Sequence, residues 1–286
     1  MGISIDAKTL VYGLIGNPVR HSCSPQMHNA AFRALGINAV YVCFEVKKKE
    51  ELKKAIDGIR ALGIAGVNVT VPYKEAVIKF LDEITVIAKR IGAVNTIFWR
   101  EDKLIGTNTD AEGFIRDLRD TCRFSAKNKK ILIVGAGGAS RAVSFALADA
   151  GAAQIYLTDI DFSKVKRLVT SLKKEYPGCG IAGIKSVEIE KVARSIDLLV
   201  NATPVGMKED DPEVVDLSLF NRNLLVYDLI YSPPVTPLLR RAKRLKMSCA
   251  NGLGMLLRQG ALAFKHWTGE NPPIEVMEKA LRRAIR

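Results

Sequence analysis

The sequence predicts an α/β protein built from two domains, and three observations support this fold class. Its 286 residues exceed the usual size of a single domain. Short apolar runs alternate with segments of helical periodicity along most of the chain, which is typical of mostly parallel sheets covered by helices. Hydrophobic residues make up 48% and charged residues 26%, a composition that excludes a disordered chain.

The first domain is predicted to alternate strands with helices. The expected elements are strands at 10–15, 39–45 and 65–71, helices from 24 and over 50–62, helical pieces up to 91, and a hairpin of 97–100 with 104–106. Ser24, followed by Pro25, is expected to be the N-cap of its helix.

The second domain is predicted after a polar stretch over 119–130. Its expected elements are strands at 131–134, 154–159, 198–201 and 224–229, and helices at 139–150 and 163–175. This succession is Rossmann-like. After Asn251-Gly252 the chain is helical to its end, and these helices have no strands of their own. We therefore expect a discontinuous first domain, residues 1–111 with 252–286, and a second domain of residues 112–251.

The formal net charge of +13 is large, but the sequence carries no nucleic-acid recognition motif. The basic stretches resemble solvated helix faces, so we expect attraction of small anions and no nucleic-acid partner. No apolar run reaches the roughly 18–20 residues of a membrane span, and residues 1–10 show no secretory pattern. The sequence therefore predicts a cytoplasmic protein without a membrane partner.

A metal site is not expected from the cysteines and histidines. The five cysteines form no CxxC pair, and their odd number argues against a full set of disulfides. The histidines number only three, and the spacing of His21 and His28 does not fit a zinc site.

A glycine-rich turn directly follows the strand at 131–134. It reads GAGGAS over 135–140 and runs into a helix, so the backbone can approach a pyrophosphate at the helix N-terminus. Ser140 stands where the G-x-G-x-x-G pattern has its third glycine. We interpret this turn as a dinucleotide-binding loop.

The residues after the next strand leave the choice of dinucleotide open. Asp159 lies 24 residues after Gly135, close to the spacing of a carboxylate that binds a ribose 2′-hydroxyl, which favours NAD. Lys164, Lys166 and Arg167 on the following helix could instead bind the 2′-phosphate of NADP.

Polar side chains collect where strands of the first domain end. Hydroxyl, amide, ammonium and carboxylate groups in such positions suit a polyhydroxylated, anionic substrate. The residues are Ser22, Ser24, Asn68, Thr70, Lys74, Asn95, Asn108 and Asp110.

Ordered blocks of sequence stand out between residues 12 and 260. They are GNPVRHSCSP at 16–25, GVNVTVPYK at 66–74, GAVNT at 92–96, GTNTD at 106–110, GAGGASRA at 135–142, NATPVGM at 201–207, YDLIY at 227–231 and NGLGMLLRQ at 251–259. Together and in this order they resemble the shikimate dehydrogenase family.

This resemblance implies a substrate-binding catalytic domain made from both chain ends and a central NADP-binding domain. It implies reversible, NADPH-dependent reduction of 3-dehydroshikimate to shikimate, a step in the biosynthesis of chorismate and aromatic amino acids. Lys74 and Asp110 would be the catalytic pair, and Ser22 and Ser24 would hold the substrate carboxylate. The other substrate contacts would be Thr70, Asn95, Tyr231 and Gln259. The dinucleotide contacts would be Gly135, Ala136, Gly137, Gly138, Ala139, Asp159, Lys164, Thr203, Leu229 and Gly252.

One departure from the family concerns the 2′-phosphate. Where the family commonly has Asn-Arg-Thr, this chain has Asp159-Ile160-Asp161, so the arginine that binds the phosphate is missing. Lys164 matches a position that is often basic. We expect NADP as the cofactor, with NAD as the alternative because of Asp159. We also expect shikimate or 3-dehydroshikimate as a small-molecule partner, and we allow for a homodimer.

Two other functions stay open at the level of sequence. One is a quinate/shikimate dehydrogenase that uses NAD. The other is a non-catalytic nucleotide-binding or nucleic-acid-binding protein, which the net charge of +13 suggests. The presence of both Lys74 and Asp110 argues against this second alternative, because an ammonium group can donate a proton where ketone reduction leaves negative charge.

Overall fold

The helices and strands divide into two units, each with its own six-stranded sheet. The computed structural model of the protein describes residues 5–285. One unit comprises Met1–Gly113 with Leu257–Arg286, and the other comprises Phe114–Leu256. The bounds expected from the sequence, 1–111 with 252–286 and 112–251, differ from these by two and by five residues.

Twelve strands and ten α-helices follow one another in the described part of the chain. The strands are β1 Leu10–Gly16, β2 Ala39–Glu45, β3 Gly66–Val69, β4 Glu83–Ile84, β5 Thr96–Arg100, β6 Lys103–Thr107, β7 Lys130–Val134, β8 Gln154–Thr158, β9 Gly180–Gly183, β10 Leu198–Asn201, β11 Leu225–Asp228 and β12 Ser248–Asn251. The helices are α1 Ser24–Ala34, α2 Leu52–Ala61, α3 Val86–Ile91, α4 Asp110–Asp120, α5 Gly138–Asp149, α6 Phe162–Glu175, α7 Ile189–Ala193, α8 Pro237–Arg244, α9 Leu253–Thr268 and α10 Ile274–Ala284.

Some of these elements differ from the sequence-based expectation. The prediction that Ser24 is an N-cap is wrong, because Cys23 occupies that position and Ser24 is the first helical residue. The hydroxyl of Ser22 accepts the N–H of Ser24 at 3.2 Å, which draws Ser24 into the helix. The edge strands β9 and β12 were not predicted, because GIAG and SCAN lack a run of large apolar residues.

The first sheet has the strand order β2-β1-β3-β5-β6-β4. The pairs β1–β2, β1–β3 and β4–β6 are parallel, whereas β5 runs antiparallel to both β3 and β6. The carboxyl ends of β1, β3 and β6 therefore share one edge with the amino end of β5. This edge collects the polar residues that follow or precede those strands.

Helices cover both faces of the first sheet. An aliphatic cluster on one face joins Ile15 of β1 and Val67 of β3 to Leu52 and Ile56 of α2. Aromatic rings line the other face, where Tyr12 of β1 stacks on Phe32 of α1 with centroids 5.1 Å apart. Because both faces are buried, the strands carry nearly continuous apolar runs.

His28 of α1 lies fully buried within this aromatic layer. Its ring stacks on Tyr41 with centroids 4.5 Å apart, and it lies 5.2 Å from Trp267 of α9. Neither ring nitrogen has a hydrogen-bond partner among residues 5–285. Burial lowers the pKa of His28 from 6.5 to about 3, so the imidazole is neutral in the folded protein.

The acid stability of the protein is expected to depend on His28. Between pH 6.5 and about 3, His28 binds a proton in the unfolded chain but not in the folded one. The free energy of unfolding therefore falls as the pH falls. One such proton contributes a slope of at most roughly 1.4 kcal/mol per pH unit. Denaturant unfolding at several pH values should show a shallower acid slope in His28→Phe than in the wild type. The exposed His21, changed to Phe, is the control, and an unaltered slope in His28→Phe would contradict the prediction.

The second sheet is entirely parallel, with the order β12-β11-β10-β7-β8-β9. The chain builds outward from β7 to β9 and then crosses back to β10 beside β7. The switch point thus lies between β7 and β10, and ligands of such sheets bind outside the carboxyl ends of the strands there. None of the helices within residues 5–285 is long and apolar enough to cross a membrane.

Candidate active site

Lys74 and Asp110 meet at the polar edge of the first sheet. Nζ of Lys74 lies 2.7 Å from Oδ2 of Asp110, and the two side chains are only 12% and 7% exposed. In this setting an ion pair is screened little by water. The pair therefore presents an ammonium group of fixed direction, able to donate a proton to an oxygen placed beside it.

Asn95, just before β5, orients the carboxylate of Asp110. Its Nδ2 donates to Oδ1 of Asp110 at 2.8 Å and to the hydroxyl of Thr109 at 2.9 Å. The same amide nitrogen lies 3.2 Å from Oε1 of Gln259 in α9. The structure thus brings together four of the predicted substrate residues, Lys74, Asn95, Asp110 and Gln259.

The backbone around Lys74 and Asp110 is held by buried polar contacts. The hydroxyl of Tyr73 donates to the carbonyl of Val46 at 2.7 Å, and the carbonyl of Lys74 accepts the N–H of Val94 at 2.8 Å. Asp110 begins α4, and its N–H donates to Oδ1 of Asn108 at 3.1 Å. The catalytic candidates therefore lie on rigid segments.

A second layer of side chains lies behind Asn95. Tyr41 of β2 donates its hydroxyl to Oδ1 of Asn68 at 2.8 Å. Nδ2 of Asn68 donates in turn to the carbonyl of Asn95 at 3.1 Å and lies 3.0 Å from the Thr96 hydroxyl. Sequence reasoning missed Tyr41, because a tyrosine in an alternating strand pattern looks like an ordinary core residue.

Ser22, Ser24 and Thr70 follow the carboxyl ends of strands on this edge. Ser22 lies between β1 and α1, and Ser24, the first residue of α1, is buried. Thr70 comes directly after β3, where its N–H donates to the carbonyl of Ile15 in β1 at 2.8 Å. The amino end of α1 is favourable for an anion because the positive end of the helix dipole lies there.

The glycine-rich loop of the second unit connects β7 to α5. Gly135 has a φ of +108°, and a Cβ atom there would lie 2.8 Å from the carbonyl oxygen of Ala202. Gly137 is the N-cap of α5 without a side-chain hydrogen bond, and the space beside it is open. Ser140, in place of the third glycine, donates its hydroxyl to the carbonyl of Gly135 at 2.6 Å and stabilises the loop. Gly138 and Ala139 supply the first turn of α5, so this loop fits a pyrophosphate.

Asp159 holds the same loop from the end of β8. Its Oδ2 accepts the N–H of Ala136 at 2.7 Å, and its Oδ1 accepts the N–H of Asp161 at 2.8 Å. The N–H of Ala136 is therefore bonded within the protein. Lys164 on α6 lies half exposed, with Nζ 3.7 Å from Oδ2 of Asp161. The side chain of Ile160 is fully exposed between them.

The remaining predicted residues of the second unit follow β10, β11 and β12. Thr203 comes two residues after β10, and its hydroxyl donates to Oδ1 of Asn201 at 2.7 Å. Leu229 directly follows β11, and a Cβ at Gly252 would collide with its carbonyl oxygen. Tyr231 lies two residues further and so belongs to the second unit, whereas the other predicted substrate residues belong to the first.

The described residues contain no group of three or more His, Cys, Asp or Glu side chains arranged to hold a metal ion.

Known proteins resemble this chain along its whole length. The family model of the shikimate dehydrogenase substrate binding domain matches residues 14–97, and that of the shikimate 5′-dehydrogenase C-terminal domain matches residues 252–282. A protein of Methanopyrus kandleri named shikimate dehydrogenase (NADP(+)) is 47% identical, and the match covers 100% of this chain and 99% of that protein.

Solved structures agree with this similarity. A crystal structure of a shikimate dehydrogenase in complex with NADP⁺ has a TM-score of 0.91 at 44% identity and covers 100% of this chain and 99% of its own. A quinate dehydrogenase from Corynebacterium glutamicum in complex with NAD has a TM-score of 0.88 at 32% identity, with 96% and 99% covered. Identity at this level over complete chains means that this two-unit α/β protein belongs to the shikimate dehydrogenase family.

Proposed function

We propose that the protein is an oxidoreductase that catalyses the reversible, NADPH-dependent reduction of 3-dehydroshikimate to shikimate. The observation that carries this proposal is the ion pair of Lys74 with Asp110, 2.7 Å apart and nearly buried at the polar edge of the first sheet. Membership of the family supports the same activity. The product shikimate would then serve the biosynthesis of chorismate and aromatic amino acids.

In this proposal the two units bind different ligands. The first unit, with both chain ends, binds the substrate, and the second binds the dinucleotide. The polar edge of the first sheet supports the former assignment. The glycine-rich loop at the switch point of an all-parallel sheet supports the latter.

The first unit offers groups for each part of the substrate. Ser22 and Ser24 at the amino end of α1 bind the carboxylate, because hydroxyl donors and the positive end of the helix dipole there favour an anion. Thr70, Asn95 and Gln259 bind ring hydroxyls, together with the catalytic pair. Tyr231 stays a predicted substrate contact.

Lys74 acts as the general acid of the reduction. NADPH, when bound, supplies a hydride to the carbonyl carbon of the substrate. The electron pair of the C=O bond moves to the oxygen, and Nζ of Lys74 donates a proton to it, so the ketone becomes a hydroxyl group. Asp110 holds the ammonium group in the required direction, and Asn95 in turn holds Asp110.

One assay tests the proposed activity. Purified protein is mixed with shikimate and either NADP⁺ or NAD⁺, and the absorbance of the reduced nicotinamide is followed. We expect turnover with shikimate and NADP⁺. Quinate in place of shikimate tests the alternative of a quinate/shikimate dehydrogenase, and no turnover with any combination would contradict an enzyme of this family.

The dinucleotide contacts of the proposal surround the carboxyl edge of the second sheet. Gly135, Ala136, Gly137, Gly138 and Ala139 lie beside the pyrophosphate, Asp159 and Lys164 beside the adenosine ribose, and Thr203, Leu229 and Gly252 beside the nicotinamide half. Both oxygens of Asp159 accept backbone N–H groups, so part of its capacity as an acceptor is used within the protein. This supports NADP as the cofactor, and NAD stays the alternative because Asp159 carries a negative charge near the ribose.

Lys164→Ala is expected to weaken NADP⁺ more than NAD⁺, because only NADP⁺ has a 2′-phosphate to lose. Half exposure of Lys164 limits the effect to a few-fold, roughly threefold to tenfold in KM. Steady-state kinetics with both cofactors measures it. Lys173→Ala is the control, because Lys173 lies exposed in the last turn of the same helix, nine residues beyond Lys164. Equal changes for both cofactors in Lys164→Ala would contradict the assignment.

The homodimer and the cytoplasmic location stay predictions of this proposal. Light scattering coupled to size-exclusion chromatography tests the first, and cell fractionation tests the second.

A further inference from the structure

Asp228, the last residue of β11, is a fully buried carboxylate. It accepts three hydrogen bonds, and all three donors are neutral. Nδ2 of Asn201 lies 3.0 Å from Oδ1, the N–H of Ile230 lies 3.1 Å from Oδ1, and the hydroxyl of Thr236 lies 2.6 Å from Oδ2. Burial raises the pKa of Asp228 to about 6, because burial disfavours the charged carboxylate more than the three hydrogen bonds favour it.

The three donors belong to three different segments. Asn201 ends β10 and pairs in register with Asp228 across the sheet. Ile230 lies in the turn that follows β11. Thr236 is the N-cap of α8, where its hydroxyl also accepts the N–H of Leu239 at 3.3 Å. Asp228 therefore joins the ends of two strands to the start of a helix through one carboxylate.

Asn201 extends this network into the loop after β10. Its Oδ1 accepts both the N–H and the hydroxyl of Thr203, at 3.0 and 2.7 Å, and its Nδ2 donates to the carbonyl of Val205 at 3.1 Å. The position of Thr203 is thereby coupled to Asp228 through a single amide side chain.

The main chain at Leu229 is fixed by the same network. Its N–H donates to the carbonyl of Asn201 at 2.9 Å, and the carbonyl of Ile230 accepts the N–H of Gly252 at 3.1 Å. The carbonyl oxygen of Leu229 lies directly against Gly252, where any side chain would collide with it. A shift of Asp228 would therefore move both Leu229 and Thr203.

The location of the loops after β10 and β11 indicates which half of a dinucleotide they bind. A sheet of this order binds one mononucleotide half on each side of the switch point. The glycine-rich loop, Asp159 and Lys164 lie on the β7–β8 side, with the pyrophosphate and the adenosine ribose. The loops after β10 and β11 lie on the other side, with the nicotinamide half.

We propose that Asp228 is a positioning residue for the nicotinamide half of the dinucleotide, holding the loops that carry Thr203 and Leu229 in one arrangement. This inference rests on the proposed function, because it assumes that the second unit binds NADP. Because Asp228 is fully buried, in this proposal it acts only through these loops. Its role is to orient the nicotinamide ring. Misplacement of this ring would slow hydride transfer without affecting the binding of the distant adenosine half.

Binding of two ligands to the purified enzyme tests the proposal. NADP⁺ carries both halves, whereas adenosine 2′,5′-bisphosphate carries only the adenosine half. Asp228→Leu removes the acceptor of three buried hydrogen bonds, and we expect its affinity for NADP⁺ to fall roughly 10-fold or more. Its affinity for adenosine 2′,5′-bisphosphate should stay within about twofold, which also shows that the unit is folded.

Threonine variants keep the test decisive if Asp228→Leu does not fold. Thr236→Val removes one donor to Asp228 and should weaken NADP⁺ by a few-fold, while Thr236→Ser should restore the wild-type value. The matched control is Thr158→Val, because Thr158 is equally buried at the end of β8 but its hydroxyl has no hydrogen-bond partner in the described part of the chain. Thr158→Val should leave both affinities unchanged.

Each outcome has one meaning. Parallel loss of both ligands in Thr236→Val, or unchanged NADP⁺ affinity in both the Asp228 and Thr236 variants, would overturn the positioning role and leave the proposed function standing. A wild-type protein that neither binds NADP⁺ nor oxidises shikimate would overturn the proposed function and this inference together.

Discussion

Replacing Lys74 by methionine is expected to lower kcat by about 10²–10⁴-fold, the usual contribution of a general acid–base group. Methionine keeps the aliphatic stem but removes the proton and the charge. The KM for shikimate should change much less, because Ser22, Ser24 and Thr70 keep their contacts in the proposed site. Lys74 is nearly buried and paired with Asp110, so it is not a solvent-exposed lysine that could be replaced at little cost.

Steady-state kinetics in the direction of shikimate oxidation measures this effect. Lys79→Met is the control, because Lys79 lies in the same unit with Nζ over the ring of Phe80 and has no place in the proposed site. Circular dichroism and thermal melting show whether each variant is folded. If Lys74→Met retains more than about a tenth of the wild-type kcat, Lys74 is not the proton donor.

Asp110→Asn is expected to lower kcat by roughly 10²-fold. Oδ2 of Asp110 faces the ammonium of Lys74, and Oδ1 faces the amide nitrogen of Asn95, so both partners are donors. An asparagine has only one acceptor oxygen in its amide group, and its NH₂ must meet one of these donors. Whichever way the amide turns, one hydrogen bond is replaced by an unfavourable contact.

The double variant separates a coupled pair from two independent groups. Because Lys74 and Asp110 act as a unit, their combined loss should fall short of the product of the two single losses. Asp120→Asn, at the exposed end of the same helix α4, is the matched control and should leave kcat unchanged. Multiplicative losses in the double variant would show that Asp110 does not act through Lys74.

Local patterns were sufficient to predict much of the fold. Four consecutive apolar residues before the glycine-rich turn predicted β7 and α5 within one residue of their observed starts. Elements without a strong apolar pattern were missed, as β9 and β12 illustrate. The N-cap of α1 was misassigned by one residue, since Ser24 is already helical and its N–H donates to the hydroxyl of Ser22.

The candidate site was predicted less completely than the fold. Lys74 and Asp110 were chosen through a resemblance to a family, and that choice of roles remains a prediction. Nothing in the local sequence indicates that Tyr41 supports Asn68, or that Asp228 accepts hydrogen bonds from three segments. Such contacts depend on which strands become neighbours in the sheet.

The sequence by itself determined the α/β fold class, the glycine-rich loop and the residue types available for binding a polar anion, because these follow from short-range periodicity and side-chain chemistry. Only the tertiary structure decided which of these groups meet. Lys74 and Asp110 are 36 residues apart in the chain, and Asn95 and Gln259 are 164 apart, yet each pair is in hydrogen-bond contact. The physical reason is that strand order and helix packing bring distant strand ends to one edge of a sheet, and burial there leaves polar groups to satisfy one another.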